Sequence, residues 1–364
     1  MKVGIITFHR ARNYGAVLQA FALMTYITKN FKNADAKIID YRCKFIEEFY
    51  TLRNPQKGIK NFIKYFLSKN TIKKRNATFQ DFIDTKLKLS LPCDMSDIKY
   101  LSFDKYIAGS DMIWHWHTHE GIELFDDSYF LNFVDDASKK YSYASSFGTD
   151  KIPQKYNSHY RKLLADFQFI SVRERSGIEI VKNLTGKESS CNIDPTLLFN
   201  HEDWKKIAIP PKENRYVILY EVGGISQDMK ETAVYIAKKL KCKLITLFSE
   251  YDLKQYLLTK NGIFGFSPCE FLGWINNAEF VVTNSFHGTA FSIIFHKYFL
   301  SEINSWSKNN RSLELINLLQ LQDRILDRKK IVIDNPIDWE NVDLILDAER
   351  KKSFNLLEKF LNND

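Results

Sequence analysis

Nowhere in this 364-residue chain do eighteen apolar residues run together, so no segment reads as a membrane-spanning helix. Cysteine is scarce: five scattered residues without a Cys-x-x-Cys pair make neither a disulfide framework nor a zinc knuckle, and reduced, mostly buried thiols are expected. A Gly-x-Gly-x-x-Gly loop is missing, which leaves "IDY" at 39–41 a weak match to the acidic ribose reader of a dinucleotide site. The opening "VGIITF" lacks the length and the small-residue cleavage site of a signal peptide, so the expected location is cytoplasmic, at most peripheral at the inner face of a membrane. The formal net charge is +8, but no nucleic-acid motif accompanies it, and nucleic acid is not an expected partner. Arginine is also sparse, 13 residues against 39 lysines. Four of the 13, Arg10, Arg12, Arg173 and Arg175, fall at or just after predicted strands, where the planar guanidinium fork suits a carboxylate or phosphate.

What is present is an alternation of strand-length apolar runs with helix-period segments, the pattern of an α/β protein with mostly parallel sheets. The length exceeds what one core serves efficiently, so two domains, or one with a large appendage, are expected, and the strand pattern favours two. In the first, over 1–200, strands are predicted at "KVGIITF", "AKIIDYR", "KYIAG", "YSYAS" and "FISVR", with helices at 14–29, near 154–166 and from 176. The polar, proline-bearing "NHEDWKKIAIPPKENR" reads as a linker. A second series over 212–335 has strands "YVILYEV", "KLITLF", "EFVVTN" and "YFLSEI", with helices near 226–240, from 268, from 289 and at 311–320. A helical tail, 336–364, is expected to pack back on the first domain.

Two Rossmann-like halves facing each other place their strand C-termini, and therefore a ligand, along the cleft between them. Five polar segments follow predicted strands there: "HRARNYG", "GSDMIW", "SSFG", "RERSG" and "NSFHGT". In "VVTNSFHGTAFSIIF", Asn284 or Ser285 can cap a helix starting near Gly288, whose free N–H groups favour an anion with Phe286 and His287 beside it. His287 can then donate a hydrogen bond or a proton. Arg173 and Arg175 share parity and would point to one side if their strand ran that far. In the opening turn Asn13 is a good N-cap, Tyr14 follows it, Gly15 permits close backbone approach, and Arg10 or Arg12 can offer charge to the cleft. Ser110 and Asp111 in "GSDMIW" complete the candidate cleft residues.

Taken in order, "TFHRARNYGAVLQAFAL", "IAGSDMIW", "YSYASSFG", "ISVRERSG", "IDPTLL", "EFVVTNSFHGTAFSIIF" and "NNRSLELINLLQLQDRI" resemble the polysaccharide pyruvyl transferase family, over residues 1 to about 326. The resemblance implies a GT-B-like fold and transfer of pyruvate from phosphoenolpyruvate to two hydroxyls of a sugar, forming a ketal. The sugar belongs to a cell-surface polysaccharide or its lipid-linked precursor. The resemblance also associates the positions matching His287 and Arg173 with the donor site. That donor carries a carboxylate and a phosphate and so needs two anion sites. Neither metal nor cofactor is expected.

Two rival readings stay open. A GT-B glycosyltransferase using a nucleotide sugar is one, although Glu270 lacks a glutamate partner in register, Ala278 standing where one is needed and Glu279 one step beyond. A non-catalytic anion-binding protein is the other. Beside the family pattern, "HWHTHE" places His115, His117 and His119 at alternate positions, an arrangement expected here to be metal-free. The stretch 55–80, with Lys57, Lys60, Lys64, Lys69, Lys73, Lys74 and Arg75 among aromatics, is expected to face a membrane.

Overall fold

The computed structural model describes residues 1–50, 59–119, 122–123, 126–250, 259–303 and 310–362. Of these, residues 48–50, 59–65, 67, 117–119, 122, 123 and 310 are described in their backbone alone.

The first sheet holds four parallel strands, β1 (Lys2–Ile6), β2 (Asp35–Ile38), β3 (Lys105–Ala108) and β6 (Lys140–Ser142), in the order β2-β1-β3-β6. Bridges Tyr141↔Phe169 and Ser145↔Val172 carry it on to β7 (Ser171–Val172), which pairs in parallel with β8 (Ser190–Cys191). The second sheet is β11 (Gly262–Ile263), β10 (Lys243–Phe248), β9 (Tyr216–Glu221), β12 (Phe280–Thr283) and β13 (Tyr298–Ser301), again all parallel. Every residue of β9 and β12 is buried, as a parallel sheet covered on both faces requires. In each sheet the strand order reverses beside the first strand, at β1/β3 and at β9/β12. These are two Rossmann-like halves in a GT-B-like arrangement, and such a reversal opens a crevice at the strand C-termini. Between β3 and β6 the chain also makes a small hairpin of β4 (His117–His119) and β5 (Ile122–Glu123) that periodicity did not signal.

Helix α1 (Tyr14–Asn30) follows β1, and α2 (Lys44–Tyr50) and α3 (Ile59–Lys86) follow β2. In the membrane-facing stretch expected from the sequence, residues 55–58 lie outside the described residues, while Arg75 and Phe79 point inward and are buried. No helix among the described residues is long and apolar enough to cross a membrane. Helices α4 (Asn157–Ala165) and α5 (Arg175–Thr185) flank β7.

The expected linker is an anchored joint. Its helix α6 (His201–Lys205) carries Trp204, fully buried, whose indole N–H donates to Thr196 O (2.9 Å) and whose ring meets Phe21 and Phe199 of the first domain and Phe291 of the second. Polar composition hid this, because one large aromatic outweighs many solvated neighbours in deciding which way a segment faces.

The second half adds α7 (Gln227–Lys239), α8 (Pro268–Asn276), α9 (Phe286–Ile294) and α10 (Asn310–Leu318). Helix α11 (Trp339–Asn362) lies against the first domain: Phe360 packs on Tyr141, Phe354 stacks on Phe31, and Arg350 donates to Leu197 O and Phe199 O.

The halves share a continuous apolar core, from Val3 and Ile5 to Ile218 and Val281. At the seam the Tyr14 ring stacks on Phe266 (4.6 Å between centroids, 3° between planes) and on Phe271 (5.0 Å), and its hydroxyl donates to Phe266 O (3.2 Å). Arg75 of α3 donates to Arg12 O in one half and to Ser249 O (2.5 Å) in the other, with its guanidinium over Phe79 and Phe264.

Candidate active site

Helix α9 begins at Phe286, earlier than spacing suggested. Ser285 is its N-cap, with Oγ accepting from Gly288 N (3.3 Å), and His287 is thereby the second helical residue. Asn284 is not the cap. Its side chain accepts from Val222 N (2.8 Å) and donates to Gly224 O (3.1 Å), tying down the loop after β9. Gly288 lets the helix start close against the sheet, since a Cβ there would lie 2.4 Å from Thr283 Oγ1 and 2.9 Å from the Tyr220 ring.

Strand β7 ends at Val172, so alternation does not align Arg173 with Arg175. Arg173 leaves the strand end, and Arg175 opens α5. The Arg173 side chain is 2% exposed and held between two carboxylates, with Nη1 donating to Asp194 Oδ2 (2.7 Å) and Nη2 to Asp111 Oδ1 (3.3 Å). Asp194 is fully buried, and its other oxygen accepts from Thr196 N (2.9 Å) and Thr196 Oγ1 (2.7 Å). Burial works to raise this carboxyl's pKa. The nearby His287 and Arg173 charges and the Thr196 bonds outweigh it and hold the pKa low, the Arg173 share persisting when His287 is neutral.

Arg311 of α10 stands beside them, Nη1 3.8 Å from Asp111 Oδ1. Burial first, then the Arg173 charge, pulls its pKa down to about 10. Both guanidiniums lie near the Phe286 ring, at 5.2 Å for Arg173 and 5.8 Å for Arg311. Glu174 completes the cluster, with Oε1 accepting from Ser146 Oγ, Phe147 N and Gly148 N of the "SSFG" turn.

His287 reaches this cluster from the other half. Its Nε2 lies 3.8 Å from Asp194 Oδ2, too far for a hydrogen bond, and it is buried with no hydrogen-bond partner among the described residues. Burial lowers its pKa, and Arg173 and Arg311 lower it further against the pull of Asp194 and Asp111. The ring is neutral at pH 7, able to take up a proton.

A cavity of about 290 Å³ opens onto the cluster, walled by Arg173, Arg175, Asp194, Phe286, Arg311 and, from α11, Lys352. Arg175 contributes an exposed side chain, while its backbone N–H donates to Glu314 Oε2 (2.9 Å).

The remaining cleft candidates do other work. Arg10 is buried against Asp40 (Nε to Oδ1, 2.6 Å), together with His9 and Arg42, so this ion-paired cluster absorbs both a cleft arginine and the candidate ribose reader. Arg12 donates to Gln80 of α3 (3.4 Å). Asn13 caps α1 as its position predicts, accepting from Ala16 N (3.2 Å), while Tyr14 is a seam residue. Ser110 is fully buried and binds Gln19 and Ala144 O. Of the opening turn's residues, Tyr14 reaches the second half and Gly15 touches the cluster through His287.

Asp194 and Arg311 were absent from the sequence-derived candidates. Asp194 follows β8 on the same sheet end as the other turns, so the strand-terminus rule would have found it. Arg311 starts a helix and lies in the resembling segment "NNRSLELINLLQLQDRI", where nothing in the spacing set it apart. His115 is buried and stacks on Trp116, whereas the side chains of His117 and His119 and all of Glu120 lie outside the described residues. Among the described residues no three His, Cys, Asp or Glu side chains cluster as metal ligands.

In overall shape the chain is similar to UDP-GlcNAc 2-epimerase from Neisseria meningitidis (TM-score 0.47, 10% identity, 100% of each chain covered) and to that from Methanocaldococcus jannaschii (0.45, 12%, 100% of each). It is similar also to the wall teichoic acid polymerase TagF (0.43, 10%, 100% of this chain and 90% of the other). No curated protein matches its sequence significantly. The sequence model of one family matches residues 13–305, most of the chain and nearly all of the cluster: this protein is a transferase of the polysaccharide pyruvyl transferase family.

Proposed function

We propose that the protein transfers pyruvate from phosphoenolpyruvate to two hydroxyls of a saccharide acceptor, forming a ketal and releasing phosphate. The observation that carries this reading is the seam cluster, where an imidazole nitrogen with no hydrogen-bond partner among the described residues stands behind the rigidly held guanidinium of Arg173, itself a wall of the charged cavity. Arg173, pinned by two carboxylates, faces the departing phosphate with Arg311, and Arg175 and Lys352, on a wall they share with Glu314 and Glu349, receive the carboxylate. An acceptor hydroxyl oxygen bonds to C2 as a proton from His287 reaches C3, turning the methylene into a methyl. The C2–O bond to phosphate breaks and the second hydroxyl closes the ketal. One hydroxyl proton returns to His287 and the other leaves with phosphate.

A nucleotide sugar fits less well. In a Rossmann half the turn after the first strand usually cradles pyrophosphate. Here that turn's Val222 N–H is bonded to Asn284 and its Gly224 N–H to the Glu221 carboxylate (2.7 Å), which would repel the ligand.

Binding carries a proton-linkage signature. With His287 neutral, the inner cluster sets two guanidiniums, Arg173 and Arg311, against three carboxylates, Asp111, Asp194 and Glu174. A donor anion is therefore expected to enter together with a proton on His287. Its pKa is low in the free protein and rises in the complex, so affinity increases as pH falls between those two values, by up to about tenfold per unit for one proton. Calorimetric titration with phosphoenolpyruvate from pH 8 to 5.5 measures this. His287→Asn should remove the added slope and leave the ligand's own titration; an identical slope in the variant would take His287 out of donor binding. Stabilisation by UDP, CMP or GDP with none by phosphoenolpyruvate would favour the glycosyltransferase reading instead.

A further inference from the structure

The first turn of α1 belongs to one half of the molecule and His287 to the other, and the two meet at Gly15. A Cβ built on Gly15 would lie 1.9 Å from His287 Nδ1 and 2.2 Å from both Cε1 and Cγ, well inside the contact distance any side chain tolerates. Gly15 sits at the second position of a regular helix with no left-handed φ, so the backbone does not call for glycine. Alanine is the better helix former there. The approach of the imidazole is the structural feature that requires the missing side chain.

We propose that Gly15 is a positioning residue for His287: the first turn of α1 is a seat that fixes the imidazole across the seam. Residues on both sides hold the seat rigid. Asn13 caps the turn, Tyr14 is wedged against Phe266 and Phe271, and Arg75 grips the carbonyl of Arg12 while reaching Ser249 of the other half. Opposite, the Ser285 cap fixes the start of α9, and the Phe286 ring lies edge-on to the imidazole at 5.0 Å. With its face on the helix, the ring places Nε2 3.8 Å from Asp194 Oδ2, within electrostatic reach of Asp111, Arg173 and Arg311. The catalytic constellation is complete only when the two halves are docked, because Arg173, Asp111 and Asp194 come from one and His287 from the other. The catalytic part of this inference rests on the pyruvyl transfer reading; the seat itself does not.

The test is Gly15→Ala, alone and combined with His287→Ala. The single variant should lose turnover of phosphoenolpyruvate by roughly 10²-fold or more, the scale on which a misplacement of about 1 Å acts. In the ligand-free protein, NMR titration of His287 should show its pKa moving up toward the ordinary histidine value as the ring is pushed off its seat. If Gly15→Ala folds poorly, adding His287→Ala should restore its melting temperature, since the Cβ then has nothing to strike. A Gly15→Ala protein with wild-type turnover and an unmoved His287 titration, or one equally destabilised whether or not the imidazole is present, would overturn the proposal. Should phosphoenolpyruvate prove not to be the donor, wild type too is inactive, and the titration and melting measurements still decide the seat.

Discussion

His287→Asn is expected to cut phosphate release from phosphoenolpyruvate by roughly 10²–10⁴-fold, the range for loss of a positioned acid–base group, with the melting temperature within a few degrees of wild type. The side chain is buried, but its Nε2 makes no hydrogen bond that folding depends on. An amide fits the volume and puts no Cβ clash on Gly15. The amide cannot cycle a proton between the acceptor hydroxyl and C3. Release of phosphate, normalised to folded protein and read beside each melting curve, checks this. A histidine present only to fill the seam would show the reverse pattern, with stability lost and the folded fraction fully active.

Asp194→Asn is expected to act on stability as strongly as His287→Asn acts on rate. The carboxylate is fully buried and is the 2.7 Å partner of a guanidinium that is itself 2% exposed. Removing one member of such a pair costs about 3–5 kcal/mol when the other charge is left alone, and with Asp111 still 3.3 Å from Arg173 the expected loss lies toward the lower end of that range. Because its folded pKa is lowered, Asp194 contributes this stability above the ordinary carboxylate value of about 3.9 and loses it as pH falls through the folded value. The deficit of the variant should therefore be full at pH 7 and shrink only in strong acid. Arg173 loses its rigid hold in the same variant, so turnover falls as well. Denaturant unfolding measures the first effect, and removing both charges with Arg173→Met and Asp194→Leu supplies the control. The double variant should be more stable than Asp194→Asn, though inactive. Equal stability of Asp194→Asn and wild type would show that the pair is not desolvated in solution.

Much of the fold was legible because parallel strands buried on both faces read as unbroken apolar runs, as in "YVILY" and "FVVT", whatever their tertiary partners. The ends of those runs then pointed to His287, Arg173 and Asp111. The sequence does not encode direction across the seam in any local pattern. Arg10 and Arg12 share the opening turn with Gly15, yet one turns toward Asp40 and the other toward Gln80, while glycine, the residue with nothing to point, meets the cluster. Tyr14 looked like a cleft residue because the aromatic pocket that takes it is built some 250 positions later, from Phe266 and Phe271. Trp204 was lost in a polar stretch for the same reason. Asp194 and Arg311 are separated from Arg173 by 21 and 138 positions, and their charges become a set only after β8 and α10 are packed together.

Following C2, C3 and the phosphorus of the donor separates pyruvyl transfer from its rivals. Purified protein is incubated with phosphoenolpyruvate and a panel of free and lipid-linked saccharides bearing unprotected diols, and the mixture is read by phosphorus and proton NMR. Orthophosphate and a new methyl singlet on a ketal carbon are expected in equal amounts, both lost in His287→Asn. Phosphate release that yields free pyruvate and no ketal, or consumption of a nucleotide sugar while phosphoenolpyruvate stays intact across the panel, would contradict pyruvyl transfer.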